Sequence, residues 1–181
     1  MKIQIPSIAD FIREVTSGNA ELRVGGRLIE PQKEPDVAER AALRLQAGLI
    51  ADHAKQARVN GRPTVAIELL LQSLQIETLL ENESGIADDL GNLGAVYLEI
   101  GQLDKAEACL KHSLEFRKKL ADPEGLAIDR YWWAHLQIKR KRLPDALTVI
   151  HQALGEAPPG GSAASALREL EAWVSKKVGS G

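Results

Sequence analysis

The amino-acid sequence predicts an all-α protein. The expected architecture is an α-solenoid of three antiparallel helix-pair repeats, closed by a C-terminal capping helix and preceded by a short irregular N-terminal extension. Three observations predict it. Segments 40 residues apart align without gaps, each unit carries helical periodicity in both halves, and only a few residues separate those halves.

The alignment runs through small and apolar positions together. Gly61 and Gly101 are 40 residues apart, with Lys141 in the next slot, and Ala66, Ala106 and Ala146 keep the same step. So do Leu70, Leu110 and Ile150, then Ser73, Ser113 and Ala153, then Leu74, Leu114 and Leu154. Gly85 matches Gly125, and Ala47 matches Ala87 and Ala127. This register gives an extension over residues 1–36 and a repeat domain over 37–178. The repeats cover about 43–82, 83–122 and 123–160, and the capping helix covers 162–178.

In the middle unit the first helix is predicted from about Ile86 to Ile100. Ile86, Leu90, Leu93, Gly94 and Tyr97 lie on one face. Gly101 ends it, because glycine accepts the left-handed conformation of a helix terminus. The second helix starts near Leu103 and is expected to bury Ala106, Leu110, Ser113, Leu114 and Leu120 until Asp122-Pro123-Glu124-Gly125 breaks it. Short loops make neighbouring helices antiparallel. Gly94 and Ala106 sit where the two helices of a pair would cross closely.

The ends differ from the repeats. Ser162 is expected to cap the last helix, whose stripe is Leu167, Leu170, Trp173 and Val174. At the other end, Ser7 to Thr16 reads as a short helix with Ile8, Phe11, Ile12 and Val15 on one side. Glu21–Val24, Gly25-Gly26 and Arg27–Glu30 read as a β-hairpin. A lone hairpin is marginal in water, so it docks on the repeats, docks on a partner, or stays flexible. Pro31 and Pro35 mark the boundary.

Asn92-Leu93-Gly94-Ala95-Val96-Tyr97, then Gly101 and Ala106, resembles the tetratricopeptide repeat signature. Leu90 stands in place of the usual tryptophan, Leu110 at the usual aromatic position and Ser113 at the next small one. The common repeat is about 34 residues long. A 40-residue version resembles the repeats of kinesin light chains, of scaffolds that orient mitotic spindles and of bacterial regulators that bind signalling peptides. The resemblance covers about residues 38–178 and is strongest in the middle unit. The first unit departs from it with His53-Ala54 at the Leu-Gly pair and Ala57 for tyrosine. The third departs with Trp133-Ala134, Gln137 and Lys141.

Stacked helix pairs curve, and their first helices line the concave side. The register points Asp52, Lys55 and Arg58 into that groove, then Asp88, Asn92, Ala95 and Glu99, then Tyr131, Trp132, His135 and Lys139, with Arg168 and Glu171 continuing the row. It sends Trp133 to the core. The family resemblance implies that Asn92 hydrogen-bonds the backbone of a bound peptide; an amide both donates and accepts. Tryptophan is enriched at binding hot spots, which singles out Trp132. Lys55, Arg58, Asn92 and Lys139 partly imitate the clamp that related repeats close on a carboxylate. Asp52, Asp88 and Glu99 repel an acidic tail, so a mixed or partly basic ligand suits the groove better.

These residues argue for a protein-binding adaptor or scaffold with no catalytic residues, no metal and no cofactor. The alternatives are a regulatory module acting through the extension and a homo-oligomer stacked through its solenoid ends. A net charge of −2 disfavours nucleic acid. No run of about 18 apolar residues occurs and the first residues lack a secretory layout, so the expected location is the cytoplasm. His53, His112, His135 and His151 form no zinc spacing. The single cysteine, Cys109, reads as an inert helix residue. Gly25-Gly26 lacks the rest of a phosphate loop, and no nucleophile elbow occurs. Lys139-Arg140-Lys141-Arg142 reads first as a solvated turn balanced by nearby acids, and second as a phosphate contact or import signal.

Overall fold

The computed structural model describes residues 23–24, 27–28, 35–158 and 160–179. Among them, seven helices follow a two-stranded ladder. The strands are β1 (Arg23–Val24) and β2 (Arg27–Leu28), antiparallel, with Arg23 opposite Leu28 and Val24 opposite Arg27. The helices are α1 (Val37–Val59), α2 (Pro63–Leu79), α3 (Glu83–Glu99), α4 (Leu103–Lys119), α5 (Pro123–Lys139), α6 (Leu143–Glu156) and α7 (Ser162–Val178). The expected helix at Ser7–Thr16, the Gly25-Gly26 turn and the outer residues of the hairpin lie outside the described residues.

Five helix junctions share one construction. Gly61, Glu81, Gly101, Ala121 and Lys141 adopt positive φ of 67°, 54°, 79°, 51° and 61°. In each case the next residue sends its N–H back to a carbonyl of the preceding helix. Arg62 bonds Ala57, Asn82 bonds Glu77, Gln102 bonds Tyr97, Asp122 bonds Arg117 and Arg142 bonds Gln137, at 2.8–3.0 Å. That is the Schellman closure, which satisfies orphan carbonyls. The same residues then offer their own carbonyls to Ala66, Ile86, Ala106, Leu126 and Ala146 at 2.9–3.1 Å, opening the next helix. One residue therefore ends one helix and starts another. This corrects the expected stop at Asp122–Gly125: α4 ends at Lys119 through Ala121, and Pro123 opens α5. Proline suits that position because its missing N–H would have no partner there.

The chain divides into two compact units, up to Asp89 and from Leu90, the division falling within α3. In the first unit, a reciprocal capping box opens α1. The Asp36 carboxylate accepts from the Glu39 N–H at 2.9 Å, and the Glu39 carboxylate accepts from the Asp36 N–H at 3.0 Å. α1 packs on α2 around Leu43, Ala47, Ile76 and Leu80. β1 lies beside α1.

In the second unit Gly94 permits the expected close crossing. A Cβ there would sit 2.6 Å from Leu110 Cγ and 3.4 Å from the Ala106 carbonyl. α5, α6 and α7 share a core of Ala127, Ala134, Ala146, Ile150, Ala153, Ala163, Leu167 and Val174. Three expectations need correction here. Leu120 is exposed, because it follows the last turn of α4 rather than facing a partner. Trp173 is 48% exposed beside Lys177, since its side of α7 meets no further helix among the described residues. Ser162 is the first helical residue and not the cap. Glu124 of α5 does the capping instead, its Oε1 accepting from the Ser162 N–H at 2.9 Å, the Ser162 hydroxyl at 2.7 Å and the Ala163 N–H at 3.4 Å.

Candidate functional site

The second unit brings three of the expected groove residues together on α5. Tyr131 meets His135 edge-on at 4.6 Å between ring centroids and Trp132 edge-on at 5.1 Å, while Trp132 and His135 are 5.9 Å apart. The spacing i, i+4 stacks Tyr131 under His135 on one face, and Trp132 flanks both. All three are half-buried, and Tyr131 rests on the core of its unit. Edge-to-face contact suits the ring quadrupoles, so the cluster holds its own geometry. Burial and then the Lys139 charge depress the His135 pKa below the usual histidine value, which keeps the ring neutral at pH 7. Its Nε2 is buried and has no hydrogen-bond partner among the described residues. A neutral imidazole offers one donor and one acceptor.

The other positions of this unit divide. Asn92 on α3 is half-buried, while Glu99, Lys139 and Arg168 are exposed. Glu171 is engaged by His151 at 2.8 Å. Ala95 is fully buried, so it is not a groove residue. α3 is covered on most of its circumference, with Leu93, Ala95, Val96, Tyr97 and Leu98 all buried, and counting one apolar face underestimates that. Trp133, expected in the core, is half-buried, since a side chain so large is seldom covered completely.

In the first unit Asp52 and Lys55 pair with each other at 3.3 Å on the exposed surface of α1. Lys55 is thus partly neutralised as an anion contact, and a pair this exposed contributes little stability. Arg58 is half-buried and Asp88 exposed.

Sequence reasoning missed a pair of buried carboxylates. Asp129 on α5 is 1% exposed. It accepts from the Ser113 hydroxyl of α4 at 2.6 Å and faces Arg117 Nε at 3.6 Å. Arg117 in turn reaches Asp122 at 2.6 Å, and Asp122 accepts from the Gly125 N–H at 2.9 Å. Gly91 leaves room for Asp129, whose Oδ1 lies 2.5 Å from where a Cβ would stand. Forty residues earlier, Asp89 is 2% exposed beside Ser73, whose hydroxyl donates to the Ala47 carbonyl at 3.4 Å. Here the arginine's counterpart is Glu77, bonded by Asn82 at 2.7 Å. Burial, helped by Glu77 and Asp88, pushes the Asp89 carboxyl up to about 8. The signal available in the sequence was a serine and an aspartate 16 residues apart, repeated in register.

Two weighed motifs have defined settings. Arg140 bonds Asp104 at 3.0 Å and Glu107 at 2.7 Å, so this one residue of the basic run is balanced by nearby acids. Cys109 is 1% exposed, and burial raises its thiol to about 12, which keeps it protonated and unreactive. No helix among the described residues is long and apolar enough to cross a membrane.

Residues 39–119 match the family model described as tetratricopeptide repeat. No curated protein matches the chain.

Proposed function

The chain is a tetratricopeptide repeat protein, and from that premise we propose that it is an adaptor whose second unit captures an extended peptide of a partner protein on the face carrying Tyr131, Trp132 and His135. The family is a class of repeat scaffolds that mediate protein–protein interaction, and chemistry on the ligand is not part of the reading. The matched region stops at residue 119, but the junction at Lys141–Arg142 repeats the earlier ones, which supports treating α5 and α6 as a further repeat.

The observation that carries the proposal is the half-buried aromatic cluster of Tyr131, Trp132 and His135. Rings that already brace one another lose little freedom when a ligand arrives, so more of the contact energy appears as affinity. The Asn92 amide supplies a donor and an acceptor on α3. Glu99 and Lys139 are both exposed and opposite in sign, which fits a ligand of mixed charge around an apolar anchor. Asp52, Lys55, Arg58 and Asp88 are proposed as contacts of the first unit's own surface.

Peptides selected from a random display library on the full-length protein test this directly. Titration should show Trp132→Ala and His135→Ala weakening the selected peptides by tenfold or more, while the exposed Trp173→Ala leaves them unchanged. Peptides that bind all three variants like wild type would overturn the assignment.

A further inference from the structure

The outer face of α1 is apolar and open, and the repeat register says what belongs on it. Leu45 is 73% and Leu49 62% exposed. Their counterparts one repeat on are Gly85 and Asp89 of α3, and two repeats on, Gly125 and Asp129 of α5. Those later positions all face the helix that precedes them. A Cβ at Gly85 would collide with Glu77 of α2, and one at Gly125 would meet Arg117 of α4. Asp89 lies beside Ser73 of α2, and Asp129 is bonded by Ser113 of α4. The Leu45–Leu49 face of α1 is therefore the face on which a preceding helix packs in both later repeats. Glycine and aspartate there meet polar partners, whereas α1 presents two leucines. Gly48 between them has open space where its side chain would be, and Ala41 and Ala42 are exposed, so a helix can approach closely.

We propose that residues 7–16 of the same chain, which lie outside the described residues, pack as a helix across Leu45 and Leu49 and cap the array. Ile8, Phe11, Ile12 and Val15 follow the i, i+3, i+4, i+7 spacing of one helical stripe. The tether places this stripe within reach. β1 lies beside α1, and residues 17–22 join the segment to it, a link spanning up to roughly 20 Å. A ten-residue helix is about 15 Å long, enough to cover the single turn that separates the two leucines. A second copy of the chain fits this face less well. Two leucines per protomer fall far short of the roughly 800 Å² per partner that stable interfaces bury, whereas a tethered helix needs no such area because its effective concentration is high.

Paired cysteines in the full-length chain test the proposal. Ile12→Cys with Leu49→Cys should oxidise to an intrachain disulfide at least tenfold faster than Arg13→Cys with Leu49→Cys, which places one thiol on the opposite side of the segment. Cys109 is buried and does not compete. Disulfide-linked dimers as the main product would show that a second copy occupies the face, and equal rates for both pairs would show that nothing in residues 7–16 does; either result overturns the proposal. As a second readout, Phe11→Asp with Ile12→Asp should speed amide exchange around residues 41–49 at least tenfold and leave α5 unchanged. Unchanged exchange in α1 would also count against the cap.

Discussion

Asp89 and Asp129 occupy the same place in successive repeats, and replacing each by asparagine should have opposite consequences. The Asp89 carboxyl is raised from 3.8 to about 8 by burial above all, opposed next by Ser73, with smaller upward pushes from Glu77 and Asp88 and a smaller downward one from Lys55. Glu77 is itself raised, by burial first. The folded chain therefore holds a proton on Asp89 between about pH 4 and pH 8 that the unfolded chain has released. That contribution to stability is complete below the unfolded pKa and is lost as pH rises through the folded one. Each unit is worth about 1.4 kcal/mol, so the full span sets a ceiling of about 6 kcal/mol. Relaxation and water entry around a newly charged carboxylate reduce the expected fall to about 2–3 kcal/mol between pH 5 and pH 8. Asp89→Asn keeps the shape and removes the ionisation, so it should be near neutral at pH 5 and stabilising by about 2 kcal/mol at pH 8. Asp129→Asn removes a negative neighbour of the buried Arg117, which keeps Asp122, and should cost about 3 kcal/mol at both pH values. Urea unfolding followed by far-ultraviolet circular dichroism at pH 5, 6, 7 and 8 reads all three chains. If wild type and Asp89→Asn fall in parallel with pH, the reasoning about Asp89 is wrong.

Two further outcomes follow from the junctions. Ala121 holds φ at 51°, where a Cβ is unfavourable, so Ala121→Gly should stabilise by about 0.5–1 kcal/mol and raise the melting temperature by roughly 2–4 °C; a lowered melting temperature would show that the turn is not under that strain. Glu124→Ala removes the acceptor at the start of α7 and should cost about 1–2 kcal/mol, seen as faster amide exchange in α7 with α1 unaffected; exchange that stays put would mean Glu124 is not the cap.

The junctions also explain how much of the fold was legible in the chain. Gly61 and Gly101 announce their left-handed turns, because glycine alone adopts them freely. Glu81, Ala121 and Lys141 adopt the same conformation without any such sign, held by the bonds at Asn82, Asp122 and Arg142. The 40-residue period was readable from side chains, while the finer 20-residue spacing of the helix starts was not, since it lives in backbone bonds at residues of which only Gly61 and Gly101 are glycine. Asp89 and Asp129 were hidden for another reason. An aspartate's type points to solvent, and only Ser73 and Ser113 across the helix pair reveal that it is inside. Trp173 misled in the opposite direction, because periodicity reports a stripe without reporting whether another helix covers it.

What the repeat does and does not specify separates scaffold from site. Ala66, Ala106 and Ala146 are the same residue and fully buried, and Leu70, Leu110 and Ile150 are nearly interchangeable and equally buried. Packing at native density restricts these slots to residues of nearly one size. One slot on the first helices instead holds Asp52, Asn92 and Trp132, and the next holds Lys55, Ala95 and His135. No common packing requirement unites an aspartate, an amide and an indole. Except for buried Ala95, these positions are at least partly open to solvent, so their identities are free to follow a ligand rather than the fold. The aromatic cluster on α5 therefore belongs to this chain and not to its architecture. A variant that exchanges Trp132 and His135 for the exposed residues of the first repeat should keep its helicity and lose the selected peptides.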